Sequence, residues 1–126
     1  MVKFSVGRTA SGNVKLILRG ECEWQEFPGR ARWVVERFGM RVERQVDAFD
    51  VRMWIVEVGG FRFCVSWDEW CREVTVMGWE GTPDEAVEGL LEREGGGGQG
   101  RGGGGWWSAF IAAVKTVRAK AYPKNQ

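Results

Sequence analysis

Histidine is absent from this chain of 126 residues, and tyrosine occurs once. Without histidine there is no side chain whose ordinary pKa suits proton transfer near neutrality. Ser-His-Asp and Cys-His catalysis are excluded, and the commonest metal ligand is missing. Cysteine is scarce too: Cys22, Cys64 and Cys71 are odd in number, lack Cys-x-x-Cys spacing and have no histidine to complete a zinc site. They read as reduced, mostly buried thiols, and no cofactor or metal is expected. No apolar run is long enough to span a bilayer, and no signal peptide is expected, since the first residues alternate at Val2, Phe4 and Val6. A soluble cytoplasmic protein without membrane contact follows as an expectation. Amides are few, two Asn and four Gln, beside thirteen Arg and five Lys, a composition of thermophile type.

What is abundant is tryptophan, eight residues, and glycine, nineteen. Rings at this density must fill a core or face a ligand. The formal charge of +1 hides segregation. Residues 1–72 carry 12 basic and 10 acidic groups, residues 73–94 carry 1 and 7, and residues 95–126 carry 5 and none. The length suits one small domain followed by a basic tail.

Alternating Val2, Phe4, Val6 and Val14, Leu16, Leu18 around Ser11-Gly12-Asn13 predict a hairpin. Pro28, the apolar stripe Trp33, Val34 and Phe38, and Gly39 as a stop predict a helix. Met40, Val42 and Val46 open a strand that runs into the turn at Asp47-Ala48-Phe49-Asp50. Val51 to Val58 and Phe61 to Trp67, joined by Gly59-Gly60, specify a tight hairpin. Its register pairs Val58 with Phe61, Val56 with Phe63, Trp54 with Val65 and Arg52 with Trp67. A strand near 73–79 extends the sheet, and Thr82-Pro83-Asp84-Glu85 starts an acidic helix with Thr82 as its cap. The fold class expected is α+β: a small, mainly antiparallel sheet of five or six strands covered by helices over residues 1–94. A Gly-rich flexible linker at 95–105 and a short basic, Trp-rich amphipathic helix at 106–126 follow.

Most chemical motifs are weak. Residues 98–103 fit G-x-G-x-x-G formally, but a glycine run after an acidic helix is not a nucleotide-binding turn. Asp47, Asp50, Asp68, Glu69 and Glu73 include a conceivable acid/base pair, although turn and surface roles weigh more. Cys64 and Cys71 lack a visible activating base. The richer signal is cations interleaved with rings. Arg101, Lys115, Arg118, Lys120 and Lys124 can neutralise phosphates, while Trp106, Trp107 and Tyr122 can stack bases. Arg52, Phe61, Arg62 and Phe63 on the glycine hairpin offer a second such group. That aromatic face is either core, which the area a small domain must bury favours, or one wall of a single-strand cleft.

The strand-helix-strand order, the arginine-rich composition and Phe61-Arg62-Phe63 make residues 14–94 resemble the ThermoDBP family of single-stranded DNA-binding proteins from hyperthermophilic archaea. The resemblance implies a small α+β domain with a phenylalanine-lined cleft flanked by basic residues. It also implies a helical dimerisation segment, where this chain has a glycine run and a basic Trp-rich stretch in place of a leucine zipper. The expectation is a non-enzymatic protein that binds single-stranded DNA or RNA with little sequence preference. The alternatives are a ribonucleoprotein or ribosome-associated subunit with an RNA-threading tail, and a small protein-binding module of inhibitor or immunity type; homo-oligomerisation is compatible with each.

Overall fold

The computed structural model describes residues 4–95. Six strands and two helices follow in the order β1 (Phe4–Arg8), β2 (Val14–Leu18), α1 (Phe27–Phe38), β3 (Arg41–Asp47), β4 (Val51–Val58), β5 (Phe61–Asp68), β6 (Val74–Gly78) and α2 (Asp84–Gly95), with a 3-10 turn at Trp24–Glu26 before α1. The strands form one sheet in the order β1-β2-β6-β5-β4-β3, antiparallel at every pairing. The expected α+β class and antiparallel sheet are therefore present. The predicted linker beyond Gly95 and the basic helix at 106–126 lie outside the described residues.

The glycine hairpin pairs as its pattern demands: Val58 with Phe61, Val56 with Phe63, Trp54 with Val65 and Arg52 with Trp67. Gly59 and Gly60 take φ of 63° and 85°, the left-handed values that a two-residue turn matched to strand twist requires. In α1, Phe27, Ala31, Val34 and Phe38 recur at helical spacing and are buried. Gly39, at φ 67°, ends the helix, and Met40 then donates to the Val35 carbonyl at 2.9 Å.

Both helices cover the same face of the sheet. Phe27, Val34, Phe38, Ala86, Val87 and Leu90 join Leu16, Trp54, Val56, Phe61, Phe63, Val65, Trp67, Val74 and Val76 in one apolar cluster. Trp67 is 1% exposed, and its indole N–H donates to the Cys22 carbonyl at 2.6 Å, which removes the penalty of burying that polar group. The charged edge strand β3, with a register shift between Val42 and Arg44, is unsuited to pairing with another strand. No helix among the described residues is long and apolar enough to cross a membrane.

One local expectation is corrected. Thr82 does not cap α2; its hydroxyl donates to the carbonyls of Arg62 (2.6 Å) and Trp79 (2.9 Å), binding the β6–α2 connection to β5. The helix begins at Asp84, whose carboxylate accepts from the Val14 N–H at 3.1 Å and the Asn13 amide at 3.3 Å. An acid in the first turn suits the helix dipole, and here it also fixes α2 to the β1–β2 hairpin.

Candidate interaction surface

Phe61 and Phe63 are 4% and 0% exposed, inside the helix-covered core. A ring enclosed in this way has no face to offer a base, so their expected stacking role is corrected to packing, and they do not form the phenylalanine cleft that the ThermoDBP resemblance implies. Arg52 is also committed internally. Its Nε and Nη2 donate to Asp47 at 2.8 and 3.2 Å, its Nη1 donates to the Trp24 carbonyl at 2.9 Å, and its guanidinium lies 4.7 Å from the Trp24 ring centre. Arg62 is half exposed but is held by Glu43 at 3.0 Å and Glu80 at 2.6 Å. Arg41 adds contacts to Glu43 and Glu57 around the same recess of about 460 Å³. Three carboxylates against two guanidiniums make this recess a poor seat for phosphate. The remaining expected binding residues, Arg101, Trp106, Trp107, Lys115, Arg118, Lys120, Tyr122 and Lys124, lie outside the described residues.

The opposite end of the sheet is built differently. Three connections meet there: residues 19–26, the β3–β4 turn and the β5–β6 loop. The β3–β4 turn closes with Ala48 N–H to the Val51 carbonyl at 2.8 Å. In the β5–β6 loop, Asp68 accepts the Cys71 N–H on its side chain at 2.7 Å and the Arg72 N–H on its carbonyl at 2.8 Å. This is the local turn chemistry for which aspartate is suited. Glu69 N–H then donates to the Asp50 carbonyl at 3.0 Å, joining the two loops, and Cys22 N–H donates to the Arg72 carbonyl at 2.9 Å, joining the third. Arg72, at φ 57°, occupies a conformation costly for a residue with a Cβ, and its guanidinium bonds Glu23.

This bracing holds two rings outward. Phe49 is 97% exposed and Trp70 is 87% exposed. Single exposed apolar residues are ordinary; here a Phe and a Trp stand on two neighbouring loops that the Glu69–Asp50 hydrogen bond joins. Their electrostatic setting is acidic: segments 19–26, 47–52 and 68–73 carry Glu21, Glu23, Glu26, Asp47, Asp50, Asp68, Glu69 and Glu73 against Arg19, Arg52 and Arg72. Of the carboxylates first considered as an acid/base pair, Asp68 accepts the Cys71 N–H in its turn and Asp47 is paired with Arg52. Residues 4–95 as a whole hold twelve basic and all seventeen acidic side chains, a formal charge of −5.

All three thiols are held above their ordinary pKa. Burial pushes Cys64 up to about 11 and also raises Cys22. Cys71 is exposed, but the neighbouring Asp68 carboxylate raises its pKa as well. A raised pKa lowers the thiolate fraction on which nucleophilic chemistry depends.

Phe49 and Trp70 escaped the sequence reading, which weighed the acids around them and not the rings. The available signal was an aromatic inside each acidic turn segment, Asp47-Ala48-Phe49-Asp50 and Asp68-Glu69-Trp70-Cys71, where no strand partner can cover it.

The architecture defines a small α+β domain in which one antiparallel sheet carries both helices on a single face. Residues 4–92 match the family described as Protein of unknown function (DUF3630), and the chain belongs to that family. No curated protein and no solved structure matches the chain.

Proposed function

We propose that this protein is a non-enzymatic binding module that docks a basic, partly apolar segment of a protein partner on the acidic end of its sheet, with Phe49 and Trp70 as anchors. The observation that carries the reading is the exposure of these two rings, 97% and 87%, on loops braced by backbone hydrogen bonds. A rigid exposed Trp loses little conformational entropy when a partner covers it, and aromatic anchors of this kind supply much of the energy of protein interfaces. Eight carboxylates against three arginines select a cationic partner and repel nucleic acid at this end.

The test is fluorescence anisotropy with the full chain and a labelled Lys/Trp-rich peptide, compared with a labelled single-stranded oligonucleotide. The peptide should bind with an affinity that falls as salt rises. Phe49→Ser with Trp70→Ser should weaken it by about 30-fold, the equivalent of two modest anchors. Equal affinity of parent and double variant refutes the reading.

A second reading rests on the tail. Residues 95–126 carry five cations, no acid, and Trp106, Trp107 and Tyr122, a composition that supports single-stranded DNA or RNA binding, alone or within a larger ribonucleoprotein. In the same assay, oligonucleotide binding that survives the Phe49 and Trp70 substitutions but is lost when the tail cations are neutralised favours this reading.

A further inference from the structure

We infer that the free edge of β1 pairs antiparallel with the β1 edge of a second copy of this chain, Val6 against the partner's Val6, so that two six-stranded sheets join into one. This edge is separate from the Phe49 and Trp70 end, and the inference does not rest on the docking role proposed there.

The two edges of the sheet are built differently. β3 carries Arg41, Glu43, Arg44 and Asp47, shifts register between Val42 and Arg44, and binds Arg41 to Glu43 and Glu57, the features by which sheets guard an edge. β1 has none of these. It pairs with β2 residue for residue from Phe4–Leu18 to Arg8–Val14, without a shift. Its one charge is Arg8, which is engaged within its own chain, donating to the Gly12 carbonyl at 3.1 Å and lying 3.9 Å from Asp84. A straight, nearly uncharged edge is a template for another strand.

The free backbone groups are identifiable. Thr9 N–H donates to the Asn13 carbonyl at 2.8 Å, so Thr9 faces β2. Bonded and non-bonded pairs alternate along an antiparallel ladder, which makes Gly7–Lys15 and Ser5–Ile17 the bonded pairs. Phe4, Val6 and Arg8 therefore turn N–H and C=O outward. Val6 lies opposite the buried Leu16, on the side of the sheet that the helices cover, yet it is 53% exposed. The reason is that α2 packs on β2 and β6, and α1 on β4, β5 and β6. Beside it Phe4 meets Trp33 and Phe38 at ring separations of 6.1 and 5.8 Å, so the apolar core reaches the surface at this edge.

Self-complementarity selects a second copy as the occupant. A twofold axis at Val6 sets Val6 against the partner's Val6, and Phe4 and Arg8 against the partner's Arg8 and Phe4. Those three pairs supply about six backbone hydrogen bonds. The exposed valines then cover each other as a β-branched cross-strand pair. The two Arg8 residues stand roughly 14 Å apart along the strands, beyond the Debye length of about 8 Å. On the other face Ser5 falls opposite the partner's Gly7. A Cβ at Gly7 would lie 3.0 Å from Ile17 and 3.3 Å from Lys15, so their side chains already fill the space above it and a small neighbour fits. The pairing uses both β1 edges and leaves only the guarded β3 edges, which closes the assembly at two copies.

The experiment is sedimentation velocity on the full chain. An interface between two short strands is small, so a reversible monomer–dimer equilibrium without larger species is expected between about 1 and 300 μM. Val6→Lys and Val6→Glu each set like charges side by side at the axis and should weaken association about tenfold or more. Mixing the two variants should restore a dimer, because only a register that sets residue 6 against itself brings the opposite charges together. At an exposed position both variants should keep the circular dichroism spectrum and urea midpoint of the parent monomer. Phe49→Ser with Trp70→Ser should dimerise as the parent does. A parent that stays monomeric overturns the inference. Variants at residue 6 that dimerise like the parent overturn it too, as does a mixture of folded variants that stays monomeric. Association lost with the two rings and kept in Val6→Lys belongs to the acidic end and overturns pairing through β1. Hydrogen exchange on the unaltered chain needs no variant: the Val6 and Arg8 amides should exchange several-fold more slowly at the high end of the concentration range than at the low end. Exchange independent of concentration overturns the inference.

Discussion

Replacement of Phe63 by alanine tests most directly whether the hairpin rings are core or contact surface. Phe63 is fully buried, paired with Val56 on one side and Gly78 on the other, in the cluster that α1 and α2 cover. Truncating such a ring removes its transfer energy and leaves a cavity that helices and sheet can only partly close, a loss of about 3–5 kcal/mol. A domain of this size has about 5–15 kcal/mol in total, so the variant should be marginal, with a midpoint lowered by about 15–30 °C. Phe49→Ala, at a ring 97% exposed, should change stability by less than about 0.5 kcal/mol. Urea unfolding followed by circular dichroism, with the slope checked for constancy, separates the two. If Phe63→Ala unfolds within about 0.5 kcal/mol of the parent, the core assignment is wrong and a binding role for that ring returns.

Three further outcomes are expected. Burial holds the Cys64 thiol near 11, above its ordinary value, so the fold favours the protonated form. Stability should be undiminished below about pH 9 and fall as pH rises toward 11, by about 2 kcal/mol at most, with Cys64→Val abolishing that part of the slope in urea titrations. Asp68→Asn removes the carboxylate that raises Cys71 while keeping an oxygen for the Cys71 N–H, so alkylation of Cys71 at pH 8 should accelerate a few-fold, and an unchanged rate contradicts the assigned cause. Gly78→Ala would bring a Cβ within 2.8 Å of the Thr82 carbonyl oxygen, and the forced shift should cost about 1–3 kcal/mol in thermal unfolding.

The strand and helix sequence was largely legible because its signals are local. Gly59-Gly60 between two alternating runs fixed not only a hairpin but its register, since a two-residue loop leaves one pairing that keeps Phe61, Phe63, Val65 and Trp67 on a common face. Pro28 and Gly39 bounded α1 for reasons of backbone geometry alone. Thr82 was misread because the cap pattern is local while its actual partners, the carbonyls of Arg62 and Trp79, are brought to it by the sheet. The candidate site was legible only in composition. Arg52 and Arg62 look like phosphate ligands in one dimension, and only their neighbours across strands, Asp47 on one side and Glu43 and Glu80 on the other, show their charges already matched.

By itself, then, the sequence determined the elements, the hairpin register, the absence of histidine chemistry and the segregation of the acidic residues from the acid-free basic stretch 95–126, because each follows from residue type and spacing. The tertiary structure decided which face of the sheet the helices cover, and with it that Phe61 and Phe63 are enclosed. It also decided that Phe49 and Trp70, 21 residues apart in the chain, stand on bonded loops at one end. Burial and proximity depend on how strands order in the sheet, and β2 pairs with β6 across more than fifty residues, a contact that no local pattern encodes.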